Sequence, residues 1–350
     1  MGKAPIFITG RFRAGTSFLW QLFDRLPGFC AWYEPLHPQL PSHVKHIKPK
    51  LDHVGIEDYW RSYSIHPQYQ KHFSSDFAHN GLWLECDSQY PELKAYIDDL
   101  INLSGEQQTV LQFNRMDFRL SWLKSNYPEA TIIHIKRNPL QLWQSQRKHI
   151  VEVDKNNPSV TDAYELMQWC VALSSRFPFL SKRNHGHAFY RCYALQKLSD
   201  LMGSRVADLS LSLDHDVFES DAFAEKLKEQ IGLEIEDWLQ AQKHKHVSPL
   251  VEWDSNELNE LSDIMTEIDL IFDHSGLSSY CGLKTLDEIK IMYPEFWQNQ
   301  HLEIEWQNEE MLHAMAKQQT ELTNLMAIKN DLAEQLAKLQ TVTDKDKQTS

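Results

Sequence analysis

Short apolar runs alternate with stretches of helical period along the first two thirds of the chain. Pro5 to Thr9 is a compact β-rich run, and from Thr16 an apolar helical segment continues to Leu26, where Pro27-Gly28 stops it. The same reading places a strand near 109–113, a helix near 117–126, a strand at 131–136 and a helix at 139–150. Tyr164, Leu166, Met167, Trp169, Cys170, Leu173 and Phe177 share a helical spacing that predicts a long packed helix from 162 to 181. A strand at 206–211 and a helix from 221 to Ile231, closed by Gly232, follow. Strands alternating with helices predict an α/β fold, a three-layer sandwich with a central parallel sheet.

Two regions depart from this alternation. Residues 38–105 form a long interruption rich in aromatics, among them Tyr59, Trp60, Tyr63, Tyr69, Phe73, Phe77 and Trp83. Such rings either stack on sugar or phenolic rings of a ligand or build the core of a helical subdomain. From Ile304, steps of alternately four and three residues reach Asn308, Met311, Met315, Gln318, Leu322, Leu325, Lys329, Leu332, Leu336 and Leu339. That seam, over 304–339, predicts a coiled coil to a second copy of the chain, or a single amphipathic helix folded back on its own domain. The expected organisation is a main domain over 1–285 with 38–105 as a helical insertion, a long helix over 287–341 and a disordered tail over 342–350.

Composition narrows the partners. With 35 Lys and Arg against 49 Asp and Glu, the formal net charge of −14 opposes non-specific binding to nucleic acid or to an anionic membrane. The five cysteines are scattered without a C-x-x-C pair, so neither a disulfide framework nor a structural zinc site is expected. His185-x-His187 and His244-x-His246 lack Cys or acidic partners at ligand spacing, and no metal site is expected. The first strand begins within five residues of the start, and no apolar run approaches the roughly 20 residues of a membrane span; a cytoplasmic protein is the expectation.

The chemistry is concentrated where the first strand meets the first helix, in Gly10-Arg11-Phe12-Arg13-Ala14-Gly15-Thr16-Ser17. Gly10-x4-Gly15 is the spacing of a nucleotide-phosphate loop, and a helix start offers free N–H groups and the positive end of the helix dipole to an anion. The Lys that normally follows the second Gly is replaced by Thr16, and the cation sits at Arg13 instead. A magnesium-nucleotide enzyme also wants an acidic residue at the end of a neighbouring strand, yet Ala130 to Lys136 runs into Arg137. Arg in that place neutralises phosphate directly, without a metal.

Here the chain resembles the sulfotransferases that use 3'-phosphoadenosine 5'-phosphosulfate (PAPS), closest in motif style to the carbohydrate and tyrosylprotein branches. Their G-x-x-R-[SA]-G-T-[ST] loop matches Gly10, Arg13, Ala14, Gly15, Thr16 and Ser17, and their R-[ND]-P-x(5)-S signature matches Arg137-Asn138-Pro139 and Ser145. The resemblance implies a P-loop-like fold in which Arg11 to Ser17 receive the 5'-phosphosulfate while Arg137 and Ser145 hold the 3'-phosphate, leaving 3'-phosphoadenosine 5'-phosphate (PAP) as product. It further implies Glu34, in Tyr33-Glu34-Pro35, as general base toward an acceptor hydroxyl, most naturally on a carbohydrate. His37 is a second candidate for that base, and Glu34 could instead merely pair with Arg11 or Arg13. Arg115 would stabilise charge on the transferring group together with Arg13, or with Arg119 it could be only a solvated helix start. Two other classes stay open: a P-loop kinase, which would need magnesium and ATP, and a non-catalytic coiled-coil assembly protein with a relic nucleotide pocket.

Overall fold

Five strands build the sheet: β1 (Ile6–Thr9), β2 (Phe29–Tyr33), β3 (Gln108–Phe113), β4 (Thr131–Lys136) and β5 (Leu209–Ser212). Their order is β2-β3-β1-β4-β5 and every pairing is parallel, in a computed structural model that describes residues 3–46, 58–147, 166–180, 187–219, 222–235, 253–274, 277 and 329. All four residues of central β1 are buried, although successive side chains point to opposite faces. Both faces of the sheet are therefore covered at its centre, the α/β arrangement expected from the sequence.

The helices are α1 (Thr16–Arg25), α2 (Leu40–His46), α3 (Arg61–Ile65), α4 (Pro91–Leu103), α5 (Leu120–Asn126), α6 (Pro139–Arg147), α7 (Leu166–Ser174), α8 (Ala188–Val206), α9 (Ala222–Ile231) and α10 (Ser255–His274). Local chemistry sets several of their ends. Pro91 opens α4, where its missing N–H is no loss and its fixed φ suits a first turn. The His187 side chain accepts from the N–H of Phe189 and caps α8. Gly232 ends α9 at φ 68°, its N–H reaching Lys228 O at 3.0 Å and that of Leu233 reaching Leu227 O at 3.4 Å.

Two expectations shift. Of the helix foreseen over 162–181, residues 166–180 are described: they form α7 and then a separate 3-10 turn over Pro178–Leu180, where Pro178 has no N–H to continue the ladder. Val206 closes α8 instead of opening a strand, and β5 starts at Leu209 after Asp208, whose carboxylate accepts from Lys124 and from the Ile132 N–H. Among the described residues of the aromatic stretch, 38–46 and 58–105, the rings belong to the core: Tyr59, Trp60, Tyr63, Tyr69, Phe77 and Trp83 are all buried. Arg119 fastens this insertion to the sheet, giving its guanidinium to the carbonyls of Phe77, Asn80 and Gly81.

Met1–Gln298 form one compact unit and Asn299–Ser350 another. The domain end expected at 285, the helix over 287–341 with its heptad seam at 304–339, and the tail over 342–350 lie outside the described residues, Lys329 excepted.

Candidate active site

All five strands end on residues of the same site. Gly10 follows β1, Glu34 follows β2, Asn114 and Arg115 follow β3, Arg137 follows β4, and Leu213 and Asp214 follow β5. In a parallel sheet these carboxyl ends share one edge, which is where open α/β proteins bind ligands.

The loop between β1 and α1 depends on its glycines. A Cβ on Gly10 would lie 2.3 Å from the carbonyl oxygen of Ile135 on β4, and one on Gly15, at φ 111°, would meet Leu213 at 2.8 Å. The Ala14 N–H bonds to Arg11 O at 3.0 Å and tightens the turn, and Ala14 itself is buried. Gly15 occupies the N-cap of α1 and brings no side chain to cap it, so the first N–H groups of the helix are left for an anion. Ser17 hydrogen-bonds the hydroxyl of Tyr33 at 2.8 Å; burial drives that phenol well above its ordinary pKa and keeps it neutral.

Two cations converge on this loop. Arg137 donates from Nη1 to the Arg13 carbonyl at 3.1 Å, and Arg13 donates from Nε to Ser145 Oγ at 2.8 Å. Asp214 lies 3.8 Å from Arg137 Nε and accepts from the Asn138 N–H at 2.6 Å. Burial pulls Arg137 below the ordinary arginine value, Asp214 opposes this, and the like charge of Arg13 adds to it. Two half-buried cations close to one another favour the arrival of an anion such as phosphate.

Arg11 is built in differently from Arg13. Its side chain is 2% exposed, its Nη1 pairs with Asp117 at 3.4 Å, and its guanidinium carbon lies 4.4 Å from the centre of the Trp169 ring. Asp117 also accepts from Thr9 at 3.3 Å and from Ser199 on α8 at 3.0 Å. The loop is thereby tied to the core below it.

Glu34 is held from several sides. Its Oε2 accepts from Arg115 Nη1 at 2.8 Å and its Oε1 from Asn114 Nδ2 at 2.5 Å, while its N–H donates to Gln112 Oε1 at 3.1 Å. Its ion-pair partner is thus Arg115, rather than the Arg11 or Arg13 weighed from sequence. Arg115 is no solvated helix start either: it is 5% exposed, lies over the Phe12 ring at 4.9 Å, and Arg119 beside it is fully buried. Asn114 also accepts from Thr16 Oγ1 at 2.7 Å, which links the start of α1 directly to the Glu34 side chain. Arg13 at φ 72° and Glu34 at φ 42° are the two residues other than glycine with positive φ among those described. Such conformations are held at a cost of about 1–3 kcal/mol each and gather at functional sites.

His37 stands one turn beyond, its N–H bonded to Glu34 O at 2.9 Å and its ring 4.1 Å from that of His43. Burial lowers His43 below the ordinary histidine value, Glu34 pulls it upward and Arg115 pushes it down. Among the described residues no group of three His, Cys, Asp or Glu could hold a metal ion, and no helix is long and apolar enough to cross a membrane.

Asn114, Gln112 and Asp214 complete the cluster without having been singled out as site residues in the sequence. Asn114 carried a faint signal as the residue before Arg115 at a strand end. Gln112 carried another, as a polar residue at an inward position of an apolar strand.

Fold and site together define a parallel α/β protein that offers an uncapped helix start and two arginines to an anion, with a carboxylate beside them. The chain belongs to the sulfotransferase family, whose model it matches over residues 5–188. A stretch of 144 residues is 26% identical to an uncharacterized protein of Archaeoglobus fulgidus, covering 39% of this chain and 46% of that protein, so the match spans less than half of the relative. Among solved structures, sulfotransferase STF9 from Mycobacterium avium is similar with 13% identity and a TM-score of 0.37, over 85% of this chain and 76% of that one.

Proposed function

We propose that this sulfotransferase takes its sulfuryl group from PAPS and delivers it to an acceptor hydroxyl, most readily on a carbohydrate. The observation that carries the donor assignment is the junction of Arg13, Arg137 and Ser145 at the uncapped start of α1. Arg137 and Ser145 would bind the 3'-phosphate, and Arg13 with the N–H groups of Gly15 to Ser17 the 5'-phosphosulfate, both by charge-assisted hydrogen bonds. The cation at the end of β4 stands where a magnesium-dependent kinase would need a carboxylate, which disfavours the kinase reading.

In this scheme Glu34 takes the proton of the acceptor hydroxyl as its oxygen attacks sulfur. A new S–O bond forms, the S–O bond to the 5'-phosphate breaks, and the electron pair leaves on that phosphate. Each Glu34 oxygen has a second lone pair beyond the bond it accepts from Asn114 or Arg115, so the proton has a place to go. Arg115 and Arg13 would stabilise charge building on the transferring oxygens. The carbohydrate acceptor rests on Tyr33-Glu34-Pro35; the buried rings of the insertion serve its core. No metal enters the scheme, assembly of copies through 304–339 remains part of it, and the cytoplasm is its proposed setting.

The test is transfer of labelled sulfate from PAPS to a panel of oligosaccharides, tyrosyl peptides and small alcohols. Labelled oligosaccharide, absent with Glu34→Ala, supports the reading. Label confined to peptide or small alcohol overturns the acceptor, and no labelling anywhere overturns the enzyme.

A further inference from the structure

A chain of hydrogen bonds through Asn114 joins Glu34 to the start of α1, and the polarity of that join is fixed at both ends. Around Asn114 runs a closed ring: the Glu34 N–H donates to Gln112 Oε1 at 3.1 Å, Gln112 Nε2 donates to Asn114 Oδ1 at 3.2 Å, and Asn114 Nδ2 donates to Glu34 Oε1 at 2.5 Å. A backbone N–H can only donate and an ionised carboxylate can only accept. The Gln112 oxygen must therefore face the N–H, its amide nitrogen must face Asn114, and the Asn114 nitrogen must face the carboxylate. Asn114 Oδ1 is left pointing at Thr16, whose hydroxyl donates to it at 2.7 Å. The ring is sheltered, with Gln112, Asn114 and Thr16 all buried, so water does not readily substitute for a lost member.

Thr16 is the first residue of α1, at the point where the loop presents its N–H groups. Glu34 holds a left-handed backbone conformation that other residues of its kind rarely adopt, and the Gln112 bond to its N–H is one of the contacts that hold it there. A displacement of Thr16 would therefore reach the Glu34 carboxylate through the Asn114 amide. We infer that Asn114 is a positioning residue that couples occupancy of the donor loop to the placement of the base, with Gln112 as its support. This rests on the reading of the loop as donor site and of Glu34 as base.

The experiment is a double-mutant cycle on the full chain, read first as the Kd for PAP by calorimetry. Glu34→Gln replaces one acceptor oxygen by a donor and is expected to weaken PAP by about threefold or more, although Glu34 need not touch the nucleotide. In the Asn114→Ala background the same change is expected to alter the Kd by less than about 1.5-fold. Asn114→Asp keeps the size and the acceptor for Thr16 but sets a carboxylate against Glu34; it is expected to uncouple the pair as fully as Asn114→Ala. Equal effects of Glu34→Gln in both backgrounds, no effect in either, or retained coupling in Asn114→Asp would overturn the inference. Should wild type not bind PAP, the donor reading fails by itself. The relay is then read from thermal unfolding of Thr16→Val, Glu34→Gln and their combination, where non-additive Tm shifts that become additive without Asn114 support it and additivity throughout overturns it.

Discussion

Arg137 and Arg13 are separated by 124 residues in sequence and joined in the fold, Arg137 Nη1 donating to the Arg13 carbonyl at 3.1 Å. That bond anchors the backbone of a residue held at φ 72°, and the Arg13 side chain then reaches Ser145 at 2.8 Å. The two arginines are set by each other before any ligand arrives. Ser145→Ala removes the acceptor for Arg13 Nε and any contact of its own with a phosphate. A loss of about 1 kcal/mol, or roughly fivefold in PAP affinity, is expected by calorimetry, with Tm close to wild type.

Glu34→Gln keeps the volume of the side chain and removes its capacity to take a proton. Turnover is expected to fall by about 10²–10⁴-fold, the range of general-base catalysis, with the circular dichroism spectrum unchanged. His37→Ala serves as the control, because His37 is the other base the sequence offers. A larger loss in His37→Ala than in Glu34→Gln would transfer the role.

Arg11 and Asp117 form a buried pair beneath the loop, at 2% and 0% side-chain exposure. Removing one partner strands the other charge, so Asp117→Ala is expected to lower stability by about 3–5 kcal/mol in urea denaturation. Asp117→Asn, which keeps acceptors for Thr9 and Ser199, should lose less. A Tm unchanged in Asp117→Ala would show that the pair does not hold the loop to α8.

His43 gives a pH dependence of definite sign. Its native value lies below the ordinary 6.5, first through burial and then through Arg115, with Glu34 opposing; the His37 ring lies beside it. The native state therefore takes up this proton less readily than the unfolded chain. The stability it contributes is complete above the unfolded value and is lost as pH falls through the native one. His43→Asn is expected to show a smaller drop in Tm between about pH 7.5 and about pH 5 than wild type, and an equal drop would contradict the assignment.

Elements with strong local signals could be read from sequence: β1, the glycine loop, α1 and the strand that leads to Arg137. Each lies within one short window. The partner of Glu34 could not be read that way, because Arg115 is 81 residues distant and meets it only when β2 and β3 are neighbours. The run Phe29 to Tyr33 after Pro27-Gly28 carried a strand signal, and without β2 as a strand the Glu34 neighbourhood stayed undetermined. α8 escaped because it is buried nearly all round, so it lacks the polar face that makes a helix visible in a periodicity. The fate of the aromatic insertion needed burial as well as composition, since rings that stack on a ligand and rings that fill a core look alike in a sequence.

The most direct test of the account is calorimetric titration of the purified protein with PAP, beside ATP with magnesium, in wild type and Arg137→Ala. Micromolar binding of PAP by wild type, weakened about tenfold to a hundredfold by the substitution, is the predicted result. Binding of magnesium-ATP alone, or PAP affinity unchanged in Arg137→Ala, would contradict the claim that the junction of Arg13, Arg137 and Ser145 is the donor site.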